Sequence, residues 1–164
     1  MIHDLDLVLG AVGDEVRHID AAGVAVLSGS TDIANVRLRF RNGCVANLTA
    51  SRISLERLRK IRFFQPDSYL SVDLLEGSVR MFRKQSGFRL EEFQAALERG
   101  ESPDLLQAFE PVSVPVVRQE PLELELRSFV GCVRERARPR VGGAEGLRAL
   151  AVACEIERLL RAEA

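Results

Sequence analysis

The spacing of apolar residues along the chain predicts a helix, a long run of strands and then more helices. Near the N-terminus, apolar side chains recur at the spacing of one helix face: Leu5, Val8, Leu9 and Val12. Gly13 is suited to end that helix, and a strand is predicted over about residues 15–27. The cluster of small and polar residues at 28–32 predicts a loop.

The turn at Asn42 and Gly43 predicts a hairpin whose register follows from the side-chain faces. A two-residue loop would pair Arg41 with Cys44 and would mix charges into an apolar face. A three-residue loop over 41–43, with Gly43 in the left-handed conformation, keeps one face apolar. It pairs Phe40 with Cys44, Leu38 with Ala46, Val36 with Leu48 and Ala34 with Ala50. We therefore predict the three-residue loop.

That register places a mixed set of side chains on the opposite face of the sheet. They are Asn35, Arg37, Arg39, Val45, Asn47 and Thr49. Helices seldom cover such a surface, so we expect this face to stay open. An open face can be wet, can bind a ligand or can stack on a second copy of the chain.

A second hairpin is predicted at Glu76 and Gly77. A two-residue loop there sets Leu74 opposite Val79, Val72 opposite Met81, and Asp73 opposite Arg80. Further strands are predicted over 60–65 and 112–118, which gives a sheet of about six strands.

Three more helices are predicted in the second half of the chain. A short one carries Leu90, Phe93 and Leu97 and ends at Gly100, before a surface connection at 102–104. Another begins at Pro121 and ends at Pro139, with an apolar stripe of Leu122, Leu126, Phe129, Val130 and Val133. The last begins at about Ala144, with Leu147, Leu150, Ala151 and Cys154 predicted to face inward. We expect these last two helices to cover the apolar side of the sheet.

The predicted fold is therefore a single α+β domain over residues 1–164. It has an open-faced, predominantly antiparallel sheet with helices packed on one face.

Composition narrows the possible partners. The chain has 46% hydrophobic residues, 29% charged residues and a formal net charge of −1, so no summed field draws it to nucleic acid or anionic lipid. The arginines at 134, 136, 138 and 140 are a local basic run, best explained as a solvated helix end, with nucleic acid as the weaker alternative. No apolar run approaches the length of a membrane span. Three cysteines without metal-type spacing favour the reducing cytoplasm.

Two residues are candidates for chemistry. His3 carries an imidazole, the side chain that exchanges protons near neutral pH, although a lone histidine at a helix start is more often a cap or surface residue. Arg52 near a strand end could bind a substrate phosphate or carboxylate, yet the predicted register places it opposite Asp32, which favours an ion pair.

No metal or cofactor site is predicted. His3, Asp4 and Asp6 lack a second cluster to complete a metal site. The glycines at 142–146 precede a helix but do not follow the strand-turn-helix pattern of a dinucleotide site, and Glu145 would repel phosphate.

Several segments together resemble the glucose-fructose oxidoreductase/inositol dehydrogenase/rhizopine-catabolism family (Gfo/Idh/MocA). They are residues 2–6, 44–52, 63–67 and 121–129. The resemblance is to the C-terminal, substrate-side domain of these enzymes, and residues 2–6 resemble the point where the nucleotide-binding half ends. The N-terminal Rossmann domain, with its Gly-x-Gly-x-x-Gly turn, has no counterpart here.

The resemblance implies a role for His3. In this family an Asp-x-x-x-His motif crosses into the first helix of the second domain, and the histidine accepts or donates a proton beside the carbon that exchanges hydride. His3 matches that histidine and Asp6 matches the acid that commonly follows it. The family's aspartate and its catalytic lysine have no counterpart in these residues.

Three hypotheses follow. The preferred one is the substrate-side and dimerisation domain of an NAD(P)-dependent oxidoreductase acting on a sugar or nucleotide-sugar hydroxyl. By the resemblance it forms a homodimer through the open sheet, and we expect no cofactor binding or hydride transfer from this chain alone. The alternatives are a free-standing sheet module for homo-oligomerisation and a small-ligand binding domain without catalysis.

Overall fold

The computed structural model describes residues 1–102 and 108–162. In chain order the elements are α1 (Ile2–Val12), β1 (Val16–Val24), β2 (Ile33–Phe40), β3 (Val45–Ser51), β4 (Lys60–Phe64), β5 (Ser68–Asp73), β6 (Ser78–Lys84), α2 (Leu90–Glu98), β7 (Phe109–Val112), α3 (Pro121–Glu135) and α4 (Gly143–Ala162). They fall into two compact units. The first comprises residues 1–55 and the C-terminal segment from Leu122, and the second comprises residues 56–121.

The first unit contains an antiparallel sheet in the order β1-β2-β3. Side chains of β2 alternate between buried and exposed, as expected of a strand covered on one face only. The buried face is packed against α1 and α4, with Leu5, Leu9 and Leu38 fully buried at its centre. The side chains of the opposite face are all exposed: Asn35, Arg37, Arg39, Val45, Asn47 and Thr49. The α+β class and the open sheet are therefore confirmed.

The hairpin between β2 and β3 confirms the three-residue loop. Leu38 pairs with Ala46, Val36 with Leu48 and Ala34 with Ala50. The N–H of Phe40 donates to the carbonyl of Cys44 at 2.9 Å, which closes the loop. Gly43 has φ +86°, the left-handed conformation that glycine adopts at low cost.

Helix α1 begins and ends close to the predicted residues. Gly13 caps it with φ +68°, and the N–H of Gly13 donates to the carbonyl of Leu9 at 3.1 Å. Strand β1 ends at Val24, three residues before the predicted end at 27, because the chain then turns around the side chain of Asp32.

The inward face predicted for the last helix is wrong. Leu147, Leu150, Ala151 and Cys154 are exposed, whereas Ala149 and Ile156 are buried and Val152 and Ala153 pack against the core. Helix α4 carries two apolar stripes, and helical periodicity alone does not distinguish the one that faces the sheet.

The role predicted for α3 is also wrong. None of its residues is buried, and the large apolar side chains of its stripe are 44% to 64% exposed. The helix ends at Glu135 rather than at Pro139. In the described residues, α1 and α4 cover the sheet and α3 does not.

The second unit contains an antiparallel sheet in the order β4-β5-β6-β7. The described strands thus form sheets of three and four strands. The strand predicted over 60–65 is confirmed as β4. The strand predicted over 112–118 instead lies at Phe109–Val112. It is at the edge of the sheet, next to β6, where a strand tolerates Pro111 although proline has no N–H to donate.

The predicted register of the second hairpin is wrong. Val72 pairs with Val79 and Asp73 with Ser78, so the turn spans the four residues 74–77. The carboxylate of Asp73 accepts the N–H groups of Leu75 and Glu76, both at 3.0 Å, and this local turn outweighs the two-residue alternative.

Helix α2 occupies the predicted place before Gly100, which has φ +77°. The predicted surface connection at 102–104 lies largely outside the described residues, since only Ser102 is among them.

Candidate functional site

His3 lies in the first turn of α1 with its side chain exposed. Two and six residues further along α1, Leu5 and Leu9 are 0% and 1% exposed and fix the helix to the core of the first unit. Among the described residues, the imidazole has no hydrogen-bond or ion-pair partner. Helix α1 therefore presents the imidazole to solvent, where it is accessible to a bound molecule.

Arg52 follows β3 and lies beside Asp32, as the sequence predicts. Its Nε is 3.8 Å from Oδ1 of Asp32, and its N–H donates to the carbonyl of Asp32 at 3.0 Å. The Arg52 side chain is 63% exposed, whereas that of Asp32 is 1% exposed. Most of the guanidinium therefore remains accessible. Neither a hydrogen bond nor an ion pair joins Arg52 to His3 in the described part of the chain.

Asp32 organises the loop that follows β1. Its Oδ2 accepts the N–H groups of Val26, Leu27 and Ser28 at 2.8, 2.7 and 2.9 Å, and its Oδ1 accepts the Ser28 hydroxyl at 2.7 Å. These bonds, led by the backbone N–H groups of Ser28 and Leu27, lower the pKa of Asp32 far below its ordinary range, against an opposing effect of burial. Asp32 is therefore a structural anion.

The N-terminus of α4 does not fit a dinucleotide. The carboxylate of Glu145 accepts the N–H of Gly142 at 2.8 Å and pairs with Arg138 at 2.7 Å. Both contacts stabilise the carboxylate and lower the pKa of Glu145, the Gly142 hydrogen bond more strongly than the Arg138 charge. A pyrophosphate would meet this carboxylate instead of free amides. Every strand pairing in the described residues is antiparallel, unlike a Rossmann sheet.

A cluster that sequence reasoning missed lies on the open face of the first unit. His18 Nε2 is 2.9 Å from Asp20 Oδ1, and Arg39 Nη2 is 3.7 Å from Asp20 Oδ2. The signal in the sequence is the alternation of polar residues in β1, but the pairing that joins His18 to Arg39 depends on an irregular register.

Two classes of site are not found in the described ranges. Residues 1–102 and 108–162 hold no group of three or more histidine, cysteine or acidic side chains placed to bind a metal. Within the same ranges, no helix combines the length and the apolar character needed to cross a bilayer.

Comparison with curated proteins shows that the chain is similar to a dehydrogenase. The chain is 30% identical over 156 residues to the UDP-N-acetylglucosamine 3-dehydrogenase of Acidithiobacillus ferrooxidans, a match that covers 95% of this chain and 45% of that enzyme. The chain thus spans about half the length of the curated relative that it matches. No protein-family model matches the chain.

Solved structures agree with that relationship. The structure of the same Acidithiobacillus enzyme matches with a TM-score of 0.84 at 29% identity, covering 99% of this chain and 47% of that one. Two structures below 25% identity share the fold. The aldose-aldose oxidoreductase of Caulobacter crescentus has a TM-score of 0.72 at 20% identity and 44% coverage of its chain. The WlbA dehydrogenase of Bordetella pertussis, in complex with NADH and UDP-GlcNAcA, has a TM-score of 0.65 at 17% identity and 41% coverage. Each match covers 99% of this chain.

The matches agree in covering nearly all of this chain but less than half of each relative, as expected of a C-terminal domain alone. The relatives that the chain matches are Gfo/Idh/MocA-type oxidoreductases, the family that its sequence resembles.

Proposed function

We propose that this chain is the substrate-side domain of an NAD(P)-dependent oxidoreductase that acts on a hydroxyl of a sugar or nucleotide sugar. The observation that carries the proposal is the 30% identity to a UDP-N-acetylglucosamine 3-dehydrogenase over 95% of this chain. Because nothing in the described residues fits a dinucleotide, the cofactor is assigned to the half of the enzyme that this chain does not match. The chain alone is then inactive in hydride transfer.

His3 is the proposed proton-transfer residue. When a sugar hydroxyl is oxidised, its proton must pass to a base, and an imidazole does this near neutral pH. The exposed ring on the first turn of α1 is supported by buried Leu5 and Leu9. This support keeps its position defined relative to a bound substrate.

Arg52 is the proposed ligand for an anionic group of the substrate. Its Nε contact with Asp32 at 3.8 Å orients the side chain while the guanidinium stays 63% exposed. A guanidinium with free N–H groups suits a phosphate or carboxylate. We expect its removal to raise KM more than it lowers kcat.

The apolar face of α3 is the proposed docking surface for the nucleotide-binding half. Its side chains are Leu122, Leu126, Phe129, Val130 and Val133, all exposed. Exposed apolar patches of this kind mark interfaces. The relative is about twice as long as this chain, so a second domain is available to cover the surface.

The open face of the first sheet is the proposed homodimer interface. Its exposed side chains include Arg, Asn, Thr and Val, a composition that suits a partly polar, wet interface of about 1,600 Å² in total.

We place the enzyme in the cytoplasm, where the exposed thiols of Cys44 and Cys154 would stay reduced.

A chimera tests the proposal. The part of the Acidithiobacillus dehydrogenase that this chain does not match is joined to the N-terminus of the chain, and reduction of NAD and of NADP is followed with UDP-N-acetylglucosamine and a panel of free sugars. We expect turnover with at least one of these substrates. The 164-residue chain is the control, and we expect no heat of cofactor binding to it by calorimetry.

A folded chimera that binds cofactor but oxidises no sugar would contradict the proposal and favour a free-standing association module. Cofactor binding to the 164-residue chain would contradict the assignment of the cofactor to the other half. Sedimentation of the chain as a monomer at high concentration would contradict the dimer.

A further inference from the structure

Asp32 and Arg52 form an ion pair in which only one partner is exposed. The Asp32 side chain is 1% exposed, whereas that of Arg52 is 63% exposed. Their contact, at 3.8 Å, joins Oδ1 of Asp32 to Nε of Arg52. Neither Nη nitrogen of Arg52 takes part in a hydrogen bond among the described residues. These two nitrogens therefore remain available to a ligand.

Asp32 does not depend on Arg52 to stay ionised. Its Oδ2 accepts the N–H groups of Val26, Leu27 and Ser28, and its Oδ1 accepts the Ser28 hydroxyl. These hydrogen bonds, led by that of the Ser28 N–H, are the main reasons that the pKa of Asp32 is lowered. An ion pair with an exposed guanidinium adds little stability to such a carboxylate. The pair is therefore better explained by the effect of the carboxylate on Arg52.

Asp32 also fixes the backbone from which the Arg52 side chain extends. Asp32 lies just before β2 and Arg52 just after β3, where Ile33 pairs with Ser51. The N–H of Arg52 donates to the Asp32 carbonyl at 3.0 Å. Arg52 is thus held at its backbone and at Nε by one buried residue. A side chain that is oriented in advance loses less conformational entropy when a ligand binds.

We propose that Asp32 is a positioning residue, which holds Arg52 so that its Nη groups bind the diphosphate of a nucleotide sugar. A guanidinium donates paired N–H groups to the oxygens of a phosphate, and a neutral free sugar offers no such anion. The carboxylate of a sugar acid shares this chemistry. The proposal rests on the proposed oxidoreductase function and deepens it, because it assigns nucleotide sugars rather than free sugars as the substrate class.

Calorimetric titrations of the 164-residue chain with UDP, uridine and glucuronate test the ligand. We expect saturable binding of UDP that weakens with added salt, and no binding of uridine, which lacks phosphate. Binding of glucuronate in place of UDP would overturn the assignment of a diphosphate in favour of a sugar acid. No saturable binding of UDP by the chain or by the chimera would overturn the proposal as a whole.

Four variants distinguish positioning from a structural role. Arg52→Gln should weaken UDP binding about tenfold, because it removes charge-assisted hydrogen bonds, and Asp32→Asn should weaken it about threefold. Asp32→Asn should add nothing in the double variant with Arg52→Gln, since Asp32 acts only through Arg52. The matched control is Asp14→Asn, which also removes a carboxylate that accepts backbone N–H groups, those of Glu15 and Asn42, and should leave UDP affinity unchanged. Thermal unfolding of each variant checks that it folds.

The chimera gives a second readout. Asp32→Asn should raise KM for the nucleotide-sugar substrate about threefold and by more than it lowers kcat, as expected of a residue that acts on binding. Unchanged UDP affinity in folded Asp32→Asn, or the same loss of affinity from Asp32→Asn with and without Arg52→Gln, would overturn the proposal. A folded chimera that turns over no substrate contradicts the proposed oxidoreductase function instead, and calorimetry distinguishes the two failures.

Discussion

Leu38→Ala tests the packing of the first unit most sharply. Leu38 is 0% exposed at the centre of β2, where it pairs with Ile19 on one side and Ala46 on the other and lies in one cluster with Leu5 and Leu9. Truncation removes three carbons, which contribute about 0.8 kcal/mol each by transfer, and leaves a cavity under two helices.

We expect the free energy of unfolding to fall by about 3 kcal/mol, within the 2–5 kcal/mol range of such changes. For a chain of this length, that corresponds to a fall in Tm of roughly 6–12 °C. Urea unfolding followed by circular dichroism measures the loss, with the m-value expected to stay unchanged.

Val45→Ala is the matched control on the next strand. Val45 is 44% exposed on the open face, so its truncation should cost less than about 0.5 kcal/mol. A two-residue hairpin loop would turn β3 over and bury Val45 instead. A cost for Val45→Ala equal to that for Leu38→Ala, or no cost for Leu38→Ala, would refute the register.

Three further predictions concern stability. Gly23→Ala should destabilise the chain by about 1–3 kcal/mol, because a Cβ there would lie 2.6 Å from Thr31 Cγ2 and 2.9 Å from Leu160 Cδ2. Gly10→Ala, at a position on α1 with open space around it, should stabilise the chain. Urea unfolding compares the two variants, and equal effects on the unfolding free energy would contradict this packing. Asp32→Asn should lower Tm at neutral pH. Its Tm should then fall less than that of the wild type when the pH is lowered, because the stabilising carboxylate is already absent. The folded pKa of Asp32 is lowered, so its contribution is present above the ordinary carboxyl range and is lost as pH falls through and below that range; melts at several pH values that change equally in both proteins would count against it. Phe129→Ser should change the unfolding free energy of the chain by less than about 0.5 kcal/mol, since Phe129 is 64% exposed. It should weaken cofactor-dependent turnover of the chimera, because Phe129 lies on the proposed docking surface. A large loss of stability in the chain alone would show that α3 packs internally.

The two hairpins show what the sequence can predict. Around Gly43, a single register keeps charges off the apolar face, so face consistency is sufficient to choose the loop. Around Gly77, both registers are compatible with an apolar face. The choice depends on the Asp73 carboxylate binding the amides of Leu75 and Glu76, a local hydrogen-bond competition that hydrophobic alternation does not report.

The packing of the helices and parts of the candidate site could not be predicted from the sequence. Apolar stripes identified α3 and α4 as helices but not which stripe meets the sheet, because that depends on the position of neighbouring elements. The Arg52 and Asp32 pair followed from register. The role of His3 rests on the family resemblance. The cluster of His18, Asp20 and Arg39 depends on a bulge in β1 that no residue pattern there signals.

The kcat of the chimera, with and without His3→Gln, tests the central claim most directly. We expect His3→Gln to lower kcat by about 10²- to 10⁴-fold, while cofactor affinity stays unchanged. Glu91→Gln, a change to an exposed first-turn side chain of α2, is the control and should retain the wild-type kcat. A His3→Gln chimera that keeps the wild-type kcat would contradict the account.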